Sequence, residues 1–164
     1  TSDTWALNIG YGGNKRKQAV AFVYQNKAYV ATGVNNGSYQ SDFWSYDPST
    51  SKWAQLRNTA NTNSTESYDD AYGPIDRANA VSFIIGDKAY LSTGENPSLL
   101  ATTWEYDFAT DLWVAKQDFE RPARTGAVGF SVTNGGYVMT GLSSTLSYDD
   151  VNQFHPDEAY NAND

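Results

Sequence analysis

RKQAVAFVYQNKAYVATG, Arg16 to Gly33, followed by DFWSYDPSTSKWAQL, Asp42 to Leu56, is the stretch whose pattern sets the architecture. Ala19 to Tyr24 is a short apolar run rich in strand formers, Gln25 and Asn26 are turn-prone, and Lys27 to Thr32 is a second run of the same kind. Two antiparallel strands joined by a tight turn are expected. Gly33 permits tight backbone after the second strand. A polar stretch leads to the aromatic segment Phe43-Trp44-Ser45-Tyr46, Asp47-Pro48 opens a turn, and Trp53 to Leu56 supplies a fourth strand.

The same block recurs from Arg77 to Lys116 (RANAVSFIIGDKAYLSTG, then TTWEYDFATDLWVAK). In decayed form it recurs again from Arg124 to Asn161 (RTGAVGFSVTNGGYVMTG, then DDVNQFHPDEAYN). Gly86-Asp87 and Asn134-Gly135 stand at the expected hairpin turns, the latter suited to left-handed conformations. Each second strand ends in Thr-Gly, at Thr32-Gly33, Thr93-Gly94 and Thr140-Gly141. The opening arginines lie 61 and then 47 residues apart, and Asn58 to Asp76 accounts for most of the difference as an inserted loop. A unit of this length cannot bury its own apolar face and needs neighbours stacked on it. Four sequential antiparallel strands repeated in this way form the blade of a β-propeller.

Composition agrees with one all-β domain. The 164 residues are 40% apolar, enough for a sizeable core. The 12 Tyr and 5 Trp recur at matching repeat positions, as rings wedged between units would. Nineteen acidic residues against 11 basic ones give a net charge of −8, which repels a phosphate backbone, so nucleic acid is not expected as a partner. No apolar run approaches the roughly 20 residues of a membrane span, and no charged-then-apolar start marks a signal peptide. The absence of cysteine removes disulfides, thiolate nucleophiles and Cys-based zinc sites together. Abundant Tyr, Asn, Thr and Ser with few Lys fits an extracellular, periplasmic or cell-surface location.

The hydrophobic first strand, the Gly-ended second strand and a Tyr followed seven residues later by a Trp (Tyr46 with Trp53, Tyr106 with Trp113) resemble kelch repeats. The likeness is to bacterial secreted or lipid-anchored kelch proteins and covers about three quarters of the sequence. It departs from the family in having Thr-Gly where kelch repeats carry Gly-Gly, and in Asn152 where the third copy should have its first Trp. The resemblance implies a single kelch-type propeller segment over residues 1–164, with blades at about 16–56, 77–116 and 124–161 and a fourth strand at 1–9. Ser2 to Leu7 matches the fourth-strand segment Thr50 to Gln55. Three blades leave radial faces uncovered, and the resemblance implies a ring of six blades, of which this chain is expected to be half. The second half-propeller would come from the rest of a longer chain or from a homodimer mate.

Little in the sequence supports catalysis. The single histidine, His155, occupies the turn position of Asp47 and Asp107, and no G-x-S-x-G elbow occurs. Gly10 to Lys15 fits neither dinucleotide nor Walker spacing and reads as an inter-blade turn. Copper chemistry of the kind found on some kelch-type propellers needs a Cys-linked Tyr and two His ligands that this chain lacks. Asp69-Asp70 and Asp149-Asp150 offer oxygen ligands without the spacing of a calcium loop. No catalytic residue, cofactor or metal is expected.

The loop face remains. Arg16, Arg77 and Arg124 each open a first strand and are expected at the channel mouth, together with Tyr11, Tyr39, Tyr148 and the inserted Tyr68, Asp69, Asp70 and Tyr72. Arginine forks and Tyr hydroxyls suit an acidic sugar or an acidic peptide. An Arg repeated in every copy suits equally well a strut to a carboxylate or carbonyl of the next blade. The expected function is non-catalytic binding of a glycan or protein ligand through the loop face. A sugar epimerase or mutarotase acting on an acidic sugar, or a structural part of a surface assembly, are the alternatives.

Overall fold

The computed structural model describes residues 2–60 and 75–158, where every regular element is a β-strand. In the first copy these are β1 (Val20–Tyr24), β2 (Lys27–Ala31), β3 (Val34–Asn35), β4 (Ser38–Tyr39), β5 (Trp44–Asp47) and β6 (Lys52–Gln55). β1, β2, β5 and β6 make one antiparallel sheet in that order, and β3 and β4 form a separate two-stranded ribbon. The second copy gives a four-stranded sheet of β7 (Val81–Ile85), β8 (Lys88–Ser92), β9 (Thr103–Asp107) and β10 (Leu112–Lys116). The third gives β11 (Val128–Val132), β12 (Gly135–Met139) and β13 (Val151–Phe154), a three-stranded sheet among the described residues.

Local chemistry sets the hairpins. Tyr24 pairs with Lys27, leaving Gln25 and Asn26 at φ 45° and 60°, the mirror-image turn that matches strand twist. Ile85 pairs with Lys88 around Gly86 at φ 59°. In the third copy the turn is Thr133-Asn134, with Thr133 at φ 58°, and Gly135 is already paired with Val132. The expected Asn134-Gly135 turn is thus shifted by one residue. The shift keeps Phe130 opposite Tyr137, in line with Phe22 opposite Tyr29 and Phe83 opposite Tyr90, so the side-chain register of all three copies agrees.

The blades stack face to face. The leading face of the first blade, with Val20, Phe22, Tyr29 and Phe43 buried, packs on the trailing face of the second, with Ala89, Leu91, Trp104, Tyr106 and Trp113. Phe43 meets Tyr106 edge-on at 4.9 Å and tilts against Trp113 at 5.8 Å, while Phe22 stacks on Tyr29 at 5.4 Å. The second blade repeats the arrangement toward the third with Val81, Phe83 and Tyr90 against Val138 and Phe154. Gly136 lies under Phe83, and a Cβ there would come within 2.2 Å of the ring. The aromatic rings thus form the inter-blade core, as the repeat pattern implies.

Backbone bonds tie the blades near their inner strands. Gly33 N–H donates to the Arg77 carbonyl at 2.7 Å and Gly94 N–H to the Arg124 carbonyl at 2.8 Å. Asn79 N–H reaches the Gln18 carbonyl and Gly126 N–H the Asn79 carbonyl. A Cβ on Gly33 or Gly94 would come within 2.7 or 2.6 Å of the Lys17 or Ala78 carbonyl, and Gly33, Gly94 and Gly141 share φ of 92°, 97° and 101°, which explains why each Thr-Gly ends in glycine. Residues 2–10 contain no strand, and Trp5 and Leu7 are fully exposed. The segment expected as a fourth strand therefore has no sheet neighbour among the described residues.

Candidate functional site

The three arginines that open the first strands do the same work in each blade. Arg16 donates to the carbonyls of Asn14 at 3.1 Å, Thr32 at 2.9 Å and Asp42 at 3.3 Å, and forms an ion pair with the Asp42 carboxylate. Arg77 donates to the carbonyls of Ile75 at 2.9 Å, Thr93 at 2.9 Å and Thr102 at 3.0 Å, and to the Thr102 hydroxyl at 2.9 Å. Arg124 donates to the carbonyls of Pro122 at 3.3 Å and Thr140 at 2.8 Å and grips Asp150 with both terminal nitrogens, at 2.5 and 2.9 Å. Each guanidinium joins the chain two residues ahead of it, the Thr of Thr-Gly, and the residue leading into the third strand.

Arg77 and Arg124 are fully buried, and the Arg16 side chain nearly so. The expected ring of cations at an open mouth is therefore absent, because their donors are committed to carbonyls and carboxylates. The partners named above lie within the Arg's own repeat or its lead-in, so the strut spans one blade, and the link to the next runs through the Arg carbonyl. Burial pushes the Arg77 guanidinium down to about 10, leaving it charged at neutral pH. At Asp42 burial pushes the carboxyl up, but hydrogen bonds from Arg16 and Trp44 outweigh it and hold the group below its ordinary range. The hydrogen bonds from Arg124 lower Asp150 in the same way.

The tyrosines divide between framework and surface. Tyr11 lies edge-on to Trp53 at 4.9 Å and over Arg16 at 5.2 Å, and burial raises its hydroxyl to about 12. Tyr148 stacks on the Arg124 guanidinium at 4.1 Å, with Phe119 on that cation at 4.7 Å. Tyr39 stands half-buried on the β3–β4 ribbon, paired with Val34. Tyr68, Asp69, Asp70 and Tyr72 lie outside the described residues. Asp150, one of the two adjacent carboxylates weighed as oxygen ligands, is the partner of Arg124. His155 sits in the turn after β13, with Glu158 at 3.6 Å.

Residues 15–60, the first blade with its lead-in, match the family described as Kelch motif. The first blade carries a kelch motif, and the chain has a kelch-type β-propeller fold. The solved structure of YjhT superimposes with a TM-score of 0.69 at 16% identity, over 96% of this chain and 56% of that one. At that identity the likeness is one of fold. This kelch chain thus spans little more than half the length of the structure it matches. No curated protein matches it. Among the described residues no helix is long and apolar enough to cross a membrane, and no cluster of metal-ligating side chains occurs.

Two features of this kelch frame escape the sequence pattern as first read. An aromatic residue stands five positions before each arginine (Tyr11, Tyr72, Phe119), and Tyr11 and Phe119 both lie on the guanidinium that follows. Asp42, Thr102 and Asp150 occupy one structural position as the second anchor of Arg16, Arg77 and Arg124. Both regularities are visible as spacing in the aligned copies.

Proposed function

We propose that this chain is a non-catalytic extracytoplasmic binding module that takes a glycan or protein ligand on the loop face beside the Thr-Gly turns. The observation that carries this is the contrast between invariant frame and variable loops. The arginine strut recurs on the same three anchor positions in every blade, while the connection between the second and third strands has a different tip in each. An antiparallel bridge closes it in each (Val34 with Tyr39, Glu95 with Leu99, Leu142 with Ser147), but its tip is Asn36-Gly37 in the first, Asn96-Pro97-Ser98 in the second and Ser143-Ser144-Thr145 in the third. Variable loops on a rigid scaffold are where binding surfaces reside. Asn, Ser, Thr and Tyr side chains suit hydroxylated or peptide ligands, since they donate and accept without a net charge. Tyr39 stands half-buried on the ribbon at this face, and the inserted residues 58–76 add further sequence variation between the first two copies. A glycan array and a proteome-wide binding screen on the wild type and on Tyr39→Ala test the reading. Specific binding weakened by Tyr39→Ala at unchanged melting temperature supports it, and no binding in either screen overturns it.

A second reading, a sugar epimerase or mutarotase, is favoured by Asp76. Burial raises its carboxyl above the ordinary range, and its Oδ1 is buried without a hydrogen-bond partner. A carboxylic acid shifted this way is suited to proton transfer on the same face. NMR exchange spectroscopy on sialic acid and common hexoses discriminates: anomer exchange accelerated by the wild type and lost in Asp76→Asn would replace the binding-only reading.

A further inference from the structure

Asn-Gly occurs twice in the chain, at Asn36-Gly37 and Asn134-Gly135, and both pairs stand at tight hairpin turns. Glycine presents its backbone nitrogen with no side chain in front of it. That nitrogen lies within reach of the preceding Asn side-chain amide, and what else holds it decides whether the two react.

Asn36 and Gly37 are the central residues of the turn between β3 and β4, closed by the pair Asn35–Ser38, with φ of 48° and 84°. Both are exposed, and a Cβ built on Gly37 would meet nothing within 4 Å. Among the described residues no hydrogen bond engages the Gly37 N–H or the Asn36 side chain. The ribbon they cap consists of the pairs Val34–Tyr39 and Asn35–Ser38 alone, so little has to open before the Asn36 backbone rotates toward attack geometry.

The second site is held in every one of these respects. Gly135 closes the longer β11–β12 ladder opposite Val132, the position at which a two-residue turn commits the N–H to the facing carbonyl. It is buried, and a Cβ there would come within 2.5 Å of the Gln153 side-chain nitrogen. Asn134 is exposed, but the atom its amide needs is already engaged.

We propose that Asn36 is a site of spontaneous deamidation and that the fold protects its sequence twin, Asn134. The Gly37 nitrogen gives its proton to solvent base and attacks Cγ of Asn36. The new N–Cγ bond forms as the Cγ–Nδ2 bond breaks, and Nδ2 leaves as ammonia with a proton from solvent. The resulting succinimide takes up one water at either carbonyl. Opening at one carbonyl leaves aspartate, and at the other isoaspartate, whose backbone runs through the former side chain and is one methylene longer. The sum is one water consumed and one ammonia released, with no oxidant or reductant. A neutral tip thereby becomes a carboxylate on the ribbon that carries Tyr39, in a chain whose net charge is already −8.

Peptide mapping by tandem mass spectrometry, on the folded wild-type chain held at mildly alkaline pH, tests this, with isoaspartate counted by isoaspartyl methyltransferase labelling. Asn36 should convert at least about tenfold faster than Asn134, because the second site must first open its hairpin and give up the hydrogen bond that closes it. In concentrated urea, where neither turn persists, the two rates should converge. Asn36 remaining intact in the folded chain overturns the proposal. So does Asn134 converting as fast as Asn36, or a rate ratio that is the same in urea as in the folded chain. The reaction is read on the chain alone, so it stands or falls independently of ligand binding on the loop face.

Discussion

Replacing Arg77 by methionine isolates what the arginine strut contributes. Methionine keeps an apolar stem of similar length and removes the guanidinium, with its bonds to the carbonyls of Ile75, Thr93 and Thr102 and to the Thr102 hydroxyl. Arg77 is fully buried, so three carbonyls lose a charged donor inside the protein. Each such loss costs about 1–3 kcal/mol. Some relaxation and water entry reduce the sum, and about 3–5 kcal/mol is the expected net, in the range for breaking a buried charged network. A domain of this size loses about 2–4 °C per kcal/mol, so the melting temperature should fall by about 6–20 °C. Thermal unfolding followed by near-ultraviolet circular dichroism is the assay, with Tyr39→Ala as the control expected to change stability by less than about 0.5 kcal/mol. A melting temperature within about 2 °C of wild type would refute the strut. Loss of ligand binding at unchanged stability would return Arg77 to the recognition surface.

Three other expectations follow from the same frame. Thr93 sits at φ 61° with its hydroxyl buried and unpartnered, so Thr93→Gly relieves strain and should cost less than about 1 kcal/mol or raise the melting temperature. Gly94→Ala is the opposite case, because φ is 97° and the new Cβ would press on the Ala78 carbonyl at 2.6 Å; a loss above about 2 kcal/mol by chemical denaturation is expected. Asp42 and Asp150 have folded-state values held below the ordinary carboxylate range, so their stabilisation is complete above about pH 4 and drains away as the pH falls toward the folded values. Acid unfolding of Asp150→Asn should accordingly be less steep than that of wild type below pH 4, and an unchanged slope would show that the Arg124 pair is not linked to folding.

The strands and most of the turns were legible because they depend on neighbours in sequence. Val-Ala-Phe-Val-Tyr alternates buried and exposed at period two, and Gln25-Asn26 and Gly86-Asp87 carry the turn chemistry the hairpins use. The third turn was displaced because the register obeys the Phe130–Tyr137 pairing before it obeys a favourable dipeptide. The role of the arginines could not be read with the same certainty. A guanidinium at a repeated position serves a ligand as well as a frame, and only the convergence of the Thr93 and Thr102 carbonyls on Arg77 decides between them.

Sequence by itself therefore determined the repeat, the four-strand blade and the aromatic wedges, since periodicity and turn preference act over a few residues. Tertiary structure decided which polar groups are spent inside the blades and which apolar faces remain uncovered. Phe22 and Phe130 are the same residue in the same hairpin position, and only the presence or absence of the next blade makes one core and the other surface. Burial is a property of what packs against a residue, and that is settled between blades.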